Sequence, residues 1–389
     1  MRRRLVLALF AIAVLPFASV IATGQQRAEN PVPFRTQVQA YLDDWRAQAT
    51  FPGASVGIVR RDGTASGFVT GVSDRTTKAP LRETDLFLAG STGKTFFAAV
   101  AVQLIEEGRL DLDAPISKFL GTRPWFSRLP NASTITVRHL MTHTSGLVRY
   151  EMNPAFTRDL RAQPSKVWSP EEEVAYLLDS TPPFAAGAGW DYSDTNYIVL
   201  GMILEQITGT KLYDDVQRRF LTPLKLTGVV PSDRRRIPGL IAGYAGPSDP
   251  LGLPDQMLVD GELVINPQFE WTGGGYATSA LDLARWSHAL YGGKALSTSA
   301  RDRMIGAAVP ARLGPNTKYG LGVIVREGTP VGVTWGHSGF FPGYQTEMIY
   351  IVETGTALAI QINTSAPKST GNRGLLRVLY DLAAMARQS

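Results

Sequence analysis

Hydrophobic residues recur at helical spacing in three parts of the chain. Near the start they stand at i, i+3, i+4 and i+7 and predict a helix over 35–49, with an apolar face formed by Val38, Tyr41, Leu42 and Trp45. A second helix is predicted to follow Ser91 and to end at Gly108, with one side formed by Phe96, Phe97, Val100, Leu104 and Ile105. A closing helix is predicted around Leu375, Leu376, Leu379, Leu382 and Ala386.

Runs of apolar residues predict strands at both ends of the chain. Two early runs, 54–60 and 64–70, flank an Asp62-Gly63 turn and predict a hairpin. The late runs predict four more strands, at Tyr319–Arg326, Val331–Gly336, Tyr344–Val352 and Thr356–Asn363. Between about 111 and 285 the pattern changes to scattered helices, prolines and loops.

These elements predict an α/β fold of the α+β type. We expect the early and late strands to join in one antiparallel sheet, which is flanked by helices and interrupted by an inserted, mainly helical domain. The predicted domain covers 31–389: the segments 31–110 and 286–389 form the sheet subdomain, and 111–285 forms the insertion.

Residues 1–24 have the pattern of a secretory signal peptide. Arg2, Arg3 and Arg4 precede an almost wholly apolar stretch, Leu5–Ala22, which is followed by small residues suited to cleavage. We therefore expect an exported protein, either periplasmic or secreted. The apolar stretch is also long enough to remain as an uncleaved anchor, which is the one way we expect this chain to contact a membrane.

Charge and cysteine content restrict the partners. The net charge is +5, but without the three leader arginines the basic residues fall from 39 to 36 against 34 acidic residues, leaving +2. The run Arg234-Arg235-Arg236 lies between prolines and is expected to be a solvated loop, so we expect no nucleic-acid partner. The chain has no cysteine, which excludes disulfides and thiolate metal sites.

The segment Leu88–Thr95, LAGSTGKT, admits three interpretations. A P-loop needs Gly-x-x-x-x-Gly-Lys-Ser/Thr, and Leu88 stands where the first glycine belongs. A nucleophile elbow needs Gly-x-Ser-x-Gly, but Ala89 takes the first position and the chain lacks the strand–helix alternation of that fold. As a Ser-x-x-Lys motif, the segment places Ser91 and Lys94 on one face of a helix.

The Ser-x-x-Lys interpretation suits acyl transfer. A serine at a helix N-terminus benefits from the dipole and the free N–H groups when negative charge develops. Lys94 can stabilise the deprotonated Ser91, or accept its proton if desolvation lowers the lysine pKa. The structural alternative is a serine N-cap with an exposed lysine, since a chain of this length contains about one such motif by chance.

Two distant segments support the catalytic interpretation. The segment Trp190–Tyr197, WDYSDTNY, offers the Tyr192 phenol, which can act as a base or proton relay beside a cation. The segment Gly336–Gly339, GHSG, falls where a late strand is predicted to run and can present backbone donors to an oxyanion.

With these three motifs the chain resembles the serine beta-lactamase and penicillin-binding-protein superfamily. Within it, the chain is most similar to the class C beta-lactamase-related branch, which includes D-alanyl-D-alanine carboxypeptidases and esterases. Four further stretches are similar to that branch: Phe51–Gly53, Leu110–Asp113, Ile135–Leu147 and Gly273–Tyr276. The resemblance covers about 35 to 385 and implies a beta-lactamase/transpeptidase-like fold that needs no metal or other cofactor.

The resemblance implies a role for each motif. Ser91 would be the nucleophile that forms an acyl-enzyme, Lys94 its activating partner, and Tyr192 a proton shuttle between serine, lysine and leaving group. The backbone N–H groups of Ser91 and Phe340 would form the oxyanion hole. The implied substrate-binding positions are Asp194, Asn196, His337, Ser338 and Gly339.

Two positions depart from the pattern of the family. The second motif usually reads Tyr-x-Asn, but here Asp194 takes the third position, and an ionised carboxylate accepts where the amide would donate. The third motif often reads Lys-Thr-Gly, but here His337 replaces the lysine and is mostly neutral near pH 7. Both departures weaken the case for an efficient beta-lactamase.

Other candidate residues have a structural explanation. His139 and His143 have a zinc-like spacing, but Leu140 stands where a zinc protease needs glutamate, so we expect a structural role. The sequence leaves open whether four aromatic residues line the cleft or belong to the core: Trp190, Tyr197, Tyr276 and Phe341.

We therefore expect an exported serine hydrolase that forms an acyl-enzyme on Ser91 with an amide or ester, as a carboxylesterase or a D-alanyl-D-alanine carboxypeptidase-like enzyme does. A class C-type beta-lactamase is the alternative within the same class. A non-catalytic penicillin-binding-like sensor or binding protein is the alternative from another class. The expected partner is a small-molecule or peptidoglycan-peptide substrate.

Overall fold

The computed structural model describes residues 33–388, and the predicted signal peptide at 1–24 lies outside them. No helix within the described range has the length and apolarity to cross a membrane. The α-helices of this range are α1 Phe34–Ala47, α2 Lys94–Glu106, α3 Ser117–Leu120, α4 Val137–Met141, α5 Pro154–Ala162, α6 Pro170–Ala175, α7 Thr195–Thr208, α8 Leu212–Val216, α9 Thr222–Leu224, α10 Ala280–Tyr291, α11 Thr298–Gly306 and α12 Leu375–Gln388.

The strands of residues 33–388 form one large sheet and two small ones. They are β1 Gly53–Val59, β2 Ala65–Gly71, β3 Phe87–Leu88, β4 Val229–Pro231, β5 Leu258–Val259, β6 Glu262–Leu263, β7 Tyr276–Thr278, β8 Val309–Pro310, β9 Thr317–Tyr319, β10 Ile324–Thr329, β11 Gly332–Phe341, β12 Tyr344–Ile351 and β13 Thr356–Ile362. The large sheet has the order β2-β1-β13-β12-β11-β10-β9-β8.

The early and late strands meet in the large sheet, as predicted. Strand β1 lies between β2 and β13, so that Val56 stands opposite both Phe68 and Ile360. Every pairing in this sheet is antiparallel. The predicted α+β architecture, an antiparallel sheet with flanking helices, is therefore confirmed.

Helices cover both faces of the large sheet. On one face α1 packs over β2 and α12 packs over β12 and β13, and Leu42 and Leu379 share a core with Val56 and Ile360. On the other face α10 crosses β1, β12 and β13. A Cβ atom at Gly57 would lie 2.6 Å from Leu281 Cα, so only glycine lets α10 approach the strand this closely.

One predicted strand is wrong in its extent. The segment Tyr319–Arg326 is two strands, because β9 ends at Tyr319 and the chain turns back into β10 at Ile324. Gly322 makes this turn with φ +74°, and a Cβ atom there would lie 2.7 Å from the Tyr197 hydroxyl. The next strand runs past the predicted end at Gly336 to Phe341 and so includes the whole third motif.

The middle of the chain contains α3 to α9, but it also contributes strands. Strands β4 and β7 pair with β3 in a three-stranded sheet. The predicted boundary between 285 and 286 falls inside α10, which packs on the large sheet. The division into two subdomains stays a prediction. Helices α2 and α7 are buried along nearly their whole length and pack on each other, which brings Lys94 next to Asp194.

Candidate active site

The predicted nucleophile, Ser91, lies in a turn whose contact with β11 requires glycine at two neighbouring positions. Ser91 belongs to a 3-10 turn, Gly90–Gly93, which leads into α2. Gly90 has φ +53°, and a Cβ atom there would lie 2.6 Å from the backbone nitrogen of Phe340. A Cβ atom at Gly339 would overlap the Ala89 carbonyl oxygen. The serine turn and the end of β11 therefore lie against each other, backbone to backbone.

Lys94 is buried beside the serine and donates to three acceptors. Its Nζ lies 2.9 Å from Ser91 Oγ. It also donates to the Asp194 carboxylate and to the Gly273 carbonyl oxygen. An ammonium group has three protons to donate, so these contacts satisfy it completely.

The charge of Lys94 is fixed by its neighbours. Burial acts to lower the pKa of Lys94, but the Asp194 carboxylate and Tyr192 outweigh burial and raise this pKa. Lys94 therefore stays an ammonium group at neutral pH. In this state it polarises Ser91 as a hydrogen-bond donor and holds no free lone pair to act as a base.

Asp194 links two cations. One carboxylate oxygen pairs with Lys94, and the other lies 3.1 Å from Arg149 Nη2. Burial opposes ionisation of Asp194, but Lys94 and other neighbours hold the pKa of this carboxyl far below its usual range. Asp194 is thus a carboxylate, which can only accept hydrogen bonds, at the position where the family has an amide that donates them.

A second carboxyl group extends this charged cluster. Glu151 Oε1 lies 2.5 Å from Arg149 Nε. Burial, followed by the charge of Asp194, raises the pKa of Glu151 well above its usual value. Glu270 also lies near Lys94 and Asp194, and burial raises the pKa of Glu270 to about 8. Sequence reasoning missed Arg149, Glu151 and Glu270, and no motif surrounds them to signal a role.

Tyr192 stands beside the serine–lysine pair. Lys94 Nζ lies 5.0 Å from the centre of the Tyr192 ring, and His143 contacts the same ring with 4.2 Å between the ring centres. Burial raises the pKa of Tyr192, although the Lys94 ammonium lowers it. Within the described residues the Tyr192 hydroxyl receives no hydrogen bond of good geometry. It is therefore a neutral phenol with an uncommitted oxygen next to Ser91 and Lys94.

His337 faces the cleft from β11 as a neutral ring. Its Nδ1 lies 2.7 Å from the Ser338 carbonyl oxygen, and its Nε2 lies 2.8 Å from the Tyr319 hydroxyl. Because a carbonyl oxygen can only accept, Nδ1 carries the proton and Nε2 accepts from Tyr319. Burial lowers the pKa of His337 to about 3, with Lys94 contributing. The residue therefore does not supply the positive charge of a third-motif lysine.

An ion pair holds the next residue of the third motif. Arg326 Nη2 donates to Ser338 Oγ at 3.0 Å and lies 3.0 Å from Glu347 Oε1. Ser338 and Glu347 are opposite each other on β11 and β12. The Ser338 side chain is thereby fixed within the sheet.

Asn196 lies outside the cleft. Its side chain is fully buried and bonds Ser145 Oγ and, at 3.0 Å, His143 Nδ1. This internal network occupies the amide, so the structure does not support the predicted substrate contact of Asn196. Both histidines of the zinc-like pair have structural contacts, because His139 Nδ1 accepts from the Thr136 backbone N–H near the start of α4.

Of the four aromatic residues that the sequence could not assign to core or cleft, three belong to the core. Tyr197, Tyr276 and Trp190 are buried in the core. Phe341 is also buried, but one of its surfaces lines a cavity next to the serine site. The exposed aromatic residue at this site is Phe340, whose side chain is 45% exposed.

Two adjoining cavities surround these groups. The main cleft, about 850 Å³ and open to solvent, contains Ser91, and its walls include Tyr192, Asp194, His337, Ser338 and Gly339. The inner cavity, about 460 Å³, lies beside it, with walls that include Glu151, Leu251, Phe269, Gly273 and Phe341. Both are lined by Arg149, Asp194, Glu270 and Phe340. Seven of the nine predicted site residues thus line these cavities. Lys94 is buried behind Ser91 and Asp194, and Asn196 does not face the cleft.

Known proteins with similar sequences include penicillin-binding proteins and an esterase. Penicillin-binding protein 4* of Bacillus subtilis (strain 168) is 28% identical over 293 residues, which span 73% of this chain and 62% of that protein. Esterase EstB of Burkholderia gladioli is 31% identical over 199 residues, which span 49% of each chain. The chain thus spans less than two thirds of the length of either relative.

Solved structures with the same fold include two amide hydrolases. A D-stereospecific amidohydrolase from Streptomyces sp. superposes with a TM-score of 0.73 at 29% identity, covering 85% of this chain and 95% of that chain. The D-amino acid amidase of Ochrobactrum anthropi SV3 superposes with a TM-score of 0.75 at 25% identity, covering 92% and 99%. The family model described as Beta-lactamase matches residues 34–381. With this match over most of its length, the chain belongs to the beta-lactamase family.

Proposed function

We propose that this protein is an exported serine hydrolase that forms an acyl-enzyme on Ser91 with an amide or ester substrate. The observation that carries the proposal is the 2.9 Å contact between the buried Lys94 ammonium and Ser91 Oγ, beside the uncommitted Tyr192 hydroxyl. Relatives named as an esterase, a D-amino acid amidase and a teichoic acid D-alanine hydrolase support it.

A proton relay through Tyr192 fits the charge state of the site. Ser91 Oγ attacks the substrate carbonyl carbon, its proton passes to the Tyr192 oxygen, and the proton of Tyr192 passes to the leaving amine or alkoxide. Neither Lys94 nor Tyr192 needs to lose a proton beforehand, and the Lys94 ammonium stabilises charge on both oxygens. In deacylation water attacks the acyl carbon, its proton passes to Tyr192, and the proton of Tyr192 returns to Ser91.

The tetrahedral oxygen is stabilised, in this proposal, by the backbone N–H groups of Ser91 and Phe340. Support comes from the contact between the serine turn and β11, where glycines at 90 and 339 let the two backbones meet. Preorganised donors of this kind act where negative charge develops, and each lowers the activation barrier by about 3 kcal/mol.

The class C-type beta-lactamase alternative has less support. Asp194 replaces an amide donor, and His337 replaces a lysine that would bind a substrate carboxylate. We expect a higher kcat/KM for p-nitrophenyl acetate than for nitrocefin, with a D-alanyl-D-alanine peptide assayed beside them. A higher kcat/KM for nitrocefin would favour the beta-lactamase.

A fluorophosphonate probe tests catalysis against the binding-protein alternative. Wild type should take the label, and Ser91→Ala should lose both the label and about a thousandfold in esterase kcat/KM. The matched control Ser117→Ala, at an exposed position in α3, should keep both. An unlabelled wild type would favour a silent sensor, and a labelled Ser91→Ala protein would mean that another residue is the nucleophile.

Export is a further part of the proposal and rests on the sequence of residues 1–24. Expression of the full chain in a secreting host should give a periplasmic or secreted protein that has lost its leader. Mass spectrometry of the N-terminus checks this. Intact protein in the membrane fraction would indicate an uncleaved anchor instead.

A further inference from the structure

We infer that His143 is a positioning residue, which holds Tyr192 in the place where it transfers protons. This inference rests on the proposed acyl transfer at Ser91, in which Tyr192 gives a proton to the leaving group. His143 follows the end of α4 and lies in the stretch 135–147, to which the proposed function assigns no role. Its side chain is fully buried, so it acts on the reaction through Tyr192 alone.

His143 holds the backbone on both sides of Tyr192. The Asp191 N–H donates to the His143 carbonyl oxygen at 3.1 Å, and the Ser193 N–H donates to His143 Nδ1 at 3.3 Å. Tyr192 stands between these two residues in the chain. Because both donors are backbone groups, the two hydrogen bonds fix the path of the main chain through Tyr192.

The ring of His143 also packs on the ring of Tyr192. The ring centres are 4.2 Å apart, and the ring planes are inclined by 36°. Within residues 33–388 the Tyr192 hydroxyl has no hydrogen bond of good geometry that would hold it. The position of this hydroxyl therefore depends on the backbone and the ring of Tyr192, and His143 contacts both.

His143 can hold this segment because its Nδ1 is an acceptor. A backbone N–H can only donate, so Nδ1 accepts from Ser193 and the proton of the neutral ring lies on Nε2. Asn196 Oδ1 accepts from Ser145 Oγ, which leaves the Asn196 amide nitrogen to donate to the same Nδ1 at 3.0 Å. Burial, with a contribution from Lys94, keeps the pKa of His143 well below its usual value. The ring is therefore neutral near pH 7, and Nδ1 stays available.

The backbone conformation of His143 lets one residue make both contacts. Its φ of +59° lies in the left-handed region, which residues other than glycine and asparagine seldom adopt. In this conformation the carbonyl oxygen reaches Asp191 while the ring reaches Ser193. Strained backbone of this kind persists where the surrounding contacts hold it, and it is concentrated at functional sites.

Two acetates with different leaving groups test the inference. p-Nitrophenolate leaves as a stable anion, whereas the p-nitrobenzyl alkoxide needs the proton that Tyr192 supplies in the proposed relay. His143→Phe keeps a ring beside Tyr192 but removes the Nδ1 acceptor. Its kcat/KM should fall about tenfold for p-nitrophenyl acetate and about a hundredfold for p-nitrobenzyl acetate. Equal losses with the two esters, or no loss, would overturn the inference.

A conservative variant and a matched control separate positioning from stability. His143→Asn places a side-chain oxygen near the position of Nδ1 and tolerates the positive φ, so kcat/KM should stay within about fivefold of wild type for both esters. The control His139→Ala removes the acceptor of the Thr136 N–H and should lower stability in urea unfolding without changing the ratio of the two kcat/KM values. The same change of ratio in His139→Ala would show that lost stability alone produces it, and would overturn the inference.

Hydrogen exchange measures the Tyr192 segment without reference to catalysis. In mass spectrometry of peptides from 190–197, the Ser193 amide should exchange at least about tenfold faster in His143→Phe than in wild type, and close to the wild-type rate in His143→Asn. Unchanged exchange in His143→Phe would show that His143 does not hold the segment, which would overturn the inference.

These measurements separate the inference from the proposed function. An active wild type whose ester ratio stays the same in His143→Phe would overturn the positioning role alone. A wild type that cleaves neither acetate would overturn the proposed hydrolase and, with it, the catalytic role of His143, even if the exchange rates show that His143 holds the segment.

Discussion

The two walls of the main cleft carry charge in different ways. On the helical wall Lys94, Asp194 and Arg149 form connected ion pairs, and Lys94 also donates to Ser91. On the strand wall His337 is a neutral ring held by Tyr319. The helical wall can therefore respond to charge that develops on the serine, whereas the strand wall offers shape and backbone donors.

The strand wall also contains an ion pair, but its contacts lie within the sheet. Arg326 on β10 pairs with Glu347 on β12, across the intervening β11, and donates to Ser338 of β11. None of these groups contacts Lys94 or Asp194. The difference teaches that the family's Lys-Thr-Gly lysine has no charged replacement at position 337. The charge nearest to Ser91 comes instead from Lys94 at the start of α2, paired with Asp194 just before α7.

Removal of the lysine charge should have the largest effect. Lys94→Met leaves Asp194 buried without its nearest cation, and the loss of one partner from a buried ion pair costs about 3–5 kcal/mol. Esterase kcat/KM should fall about a thousandfold. Urea unfolding and steady-state assays measure both, with the exposed Lys118→Met as control. An active Lys94→Met enzyme would show that the charge of the helical wall is not needed for catalysis.

Neutralisation of Asp194 should change the pH profile. Asp194 is the main group that raises the pKa of Lys94, so in Asp194→Asn burial prevails and this pKa falls. The alkaline limb of kcat/KM should move to lower pH, with about a tenfold loss near pH 8. The control is Asp113→Asn, whose carboxylate pairs with Arg138 on the surface. An unshifted limb would show that Lys94 does not control it.

Substitution of Glu270 should stabilise the protein near neutral pH. Its folded pKa of about 8 exceeds the usual 4.5, so folding binds a proton and stability falls as pH rises from 4.5 to 8. Lys94, Asp194, Tyr150 and Tyr213 are the titratable groups that interact with it. With partial exposure taken into account, Glu270→Gln should gain about 1–2 kcal/mol near neutral pH and nothing near pH 4.5. A gain independent of pH in urea unfolding would contradict this.

The strand wall should give the smallest effect. Tyr319→Phe removes the donor to His337 Nε2, which costs about 1 kcal/mol of stability. Because His337 takes no part in the proposed relay, kcat should stay within about threefold of wild type. Urea unfolding and steady-state kinetics measure these values. A hundredfold loss of kcat would show that His337 on the strand wall takes part in proton transfer. The two walls would then not differ in the way described above.

The sequence predicted the candidate catalytic residues because they carry local signals. Ser91 and Lys94 are three residues apart on one turn, so their contact follows from backbone geometry alone. Tyr192 and His337 were found through motifs, and both face the cleft with Ser91. The sheet followed from apolar runs, except at Gly320-Leu321-Gly322, where two glycines signalled a turn inside a predicted strand.

The charged cluster could not be predicted in the same way. Arg149, Glu151 and Glu270 lie on segments that meet only when α7 packs, and an acidic residue that becomes buried has the same local sequence pattern as a solvated one. Asn196 is the opposite case, a residue that the sequence placed in the cleft and the structure does not. Asn196 follows Asp194 by two residues, which suggested a cleft position. Two residues along a helix rotate a side chain by about 200°, so the Asn196 amide points into the core.

The pairing of β1 with β13 determines when the fold can form. The large sheet joins residues 53–59 to residues 356–362, so its completion waits until almost all of these 389 residues have been synthesised. A chain that stops before Thr356 would expose the edges of both β1 and β12, and unpaired edges of this kind promote aggregation. Loss of the last strand would therefore separate the β1–β2 hairpin from the five strands β12 to β8.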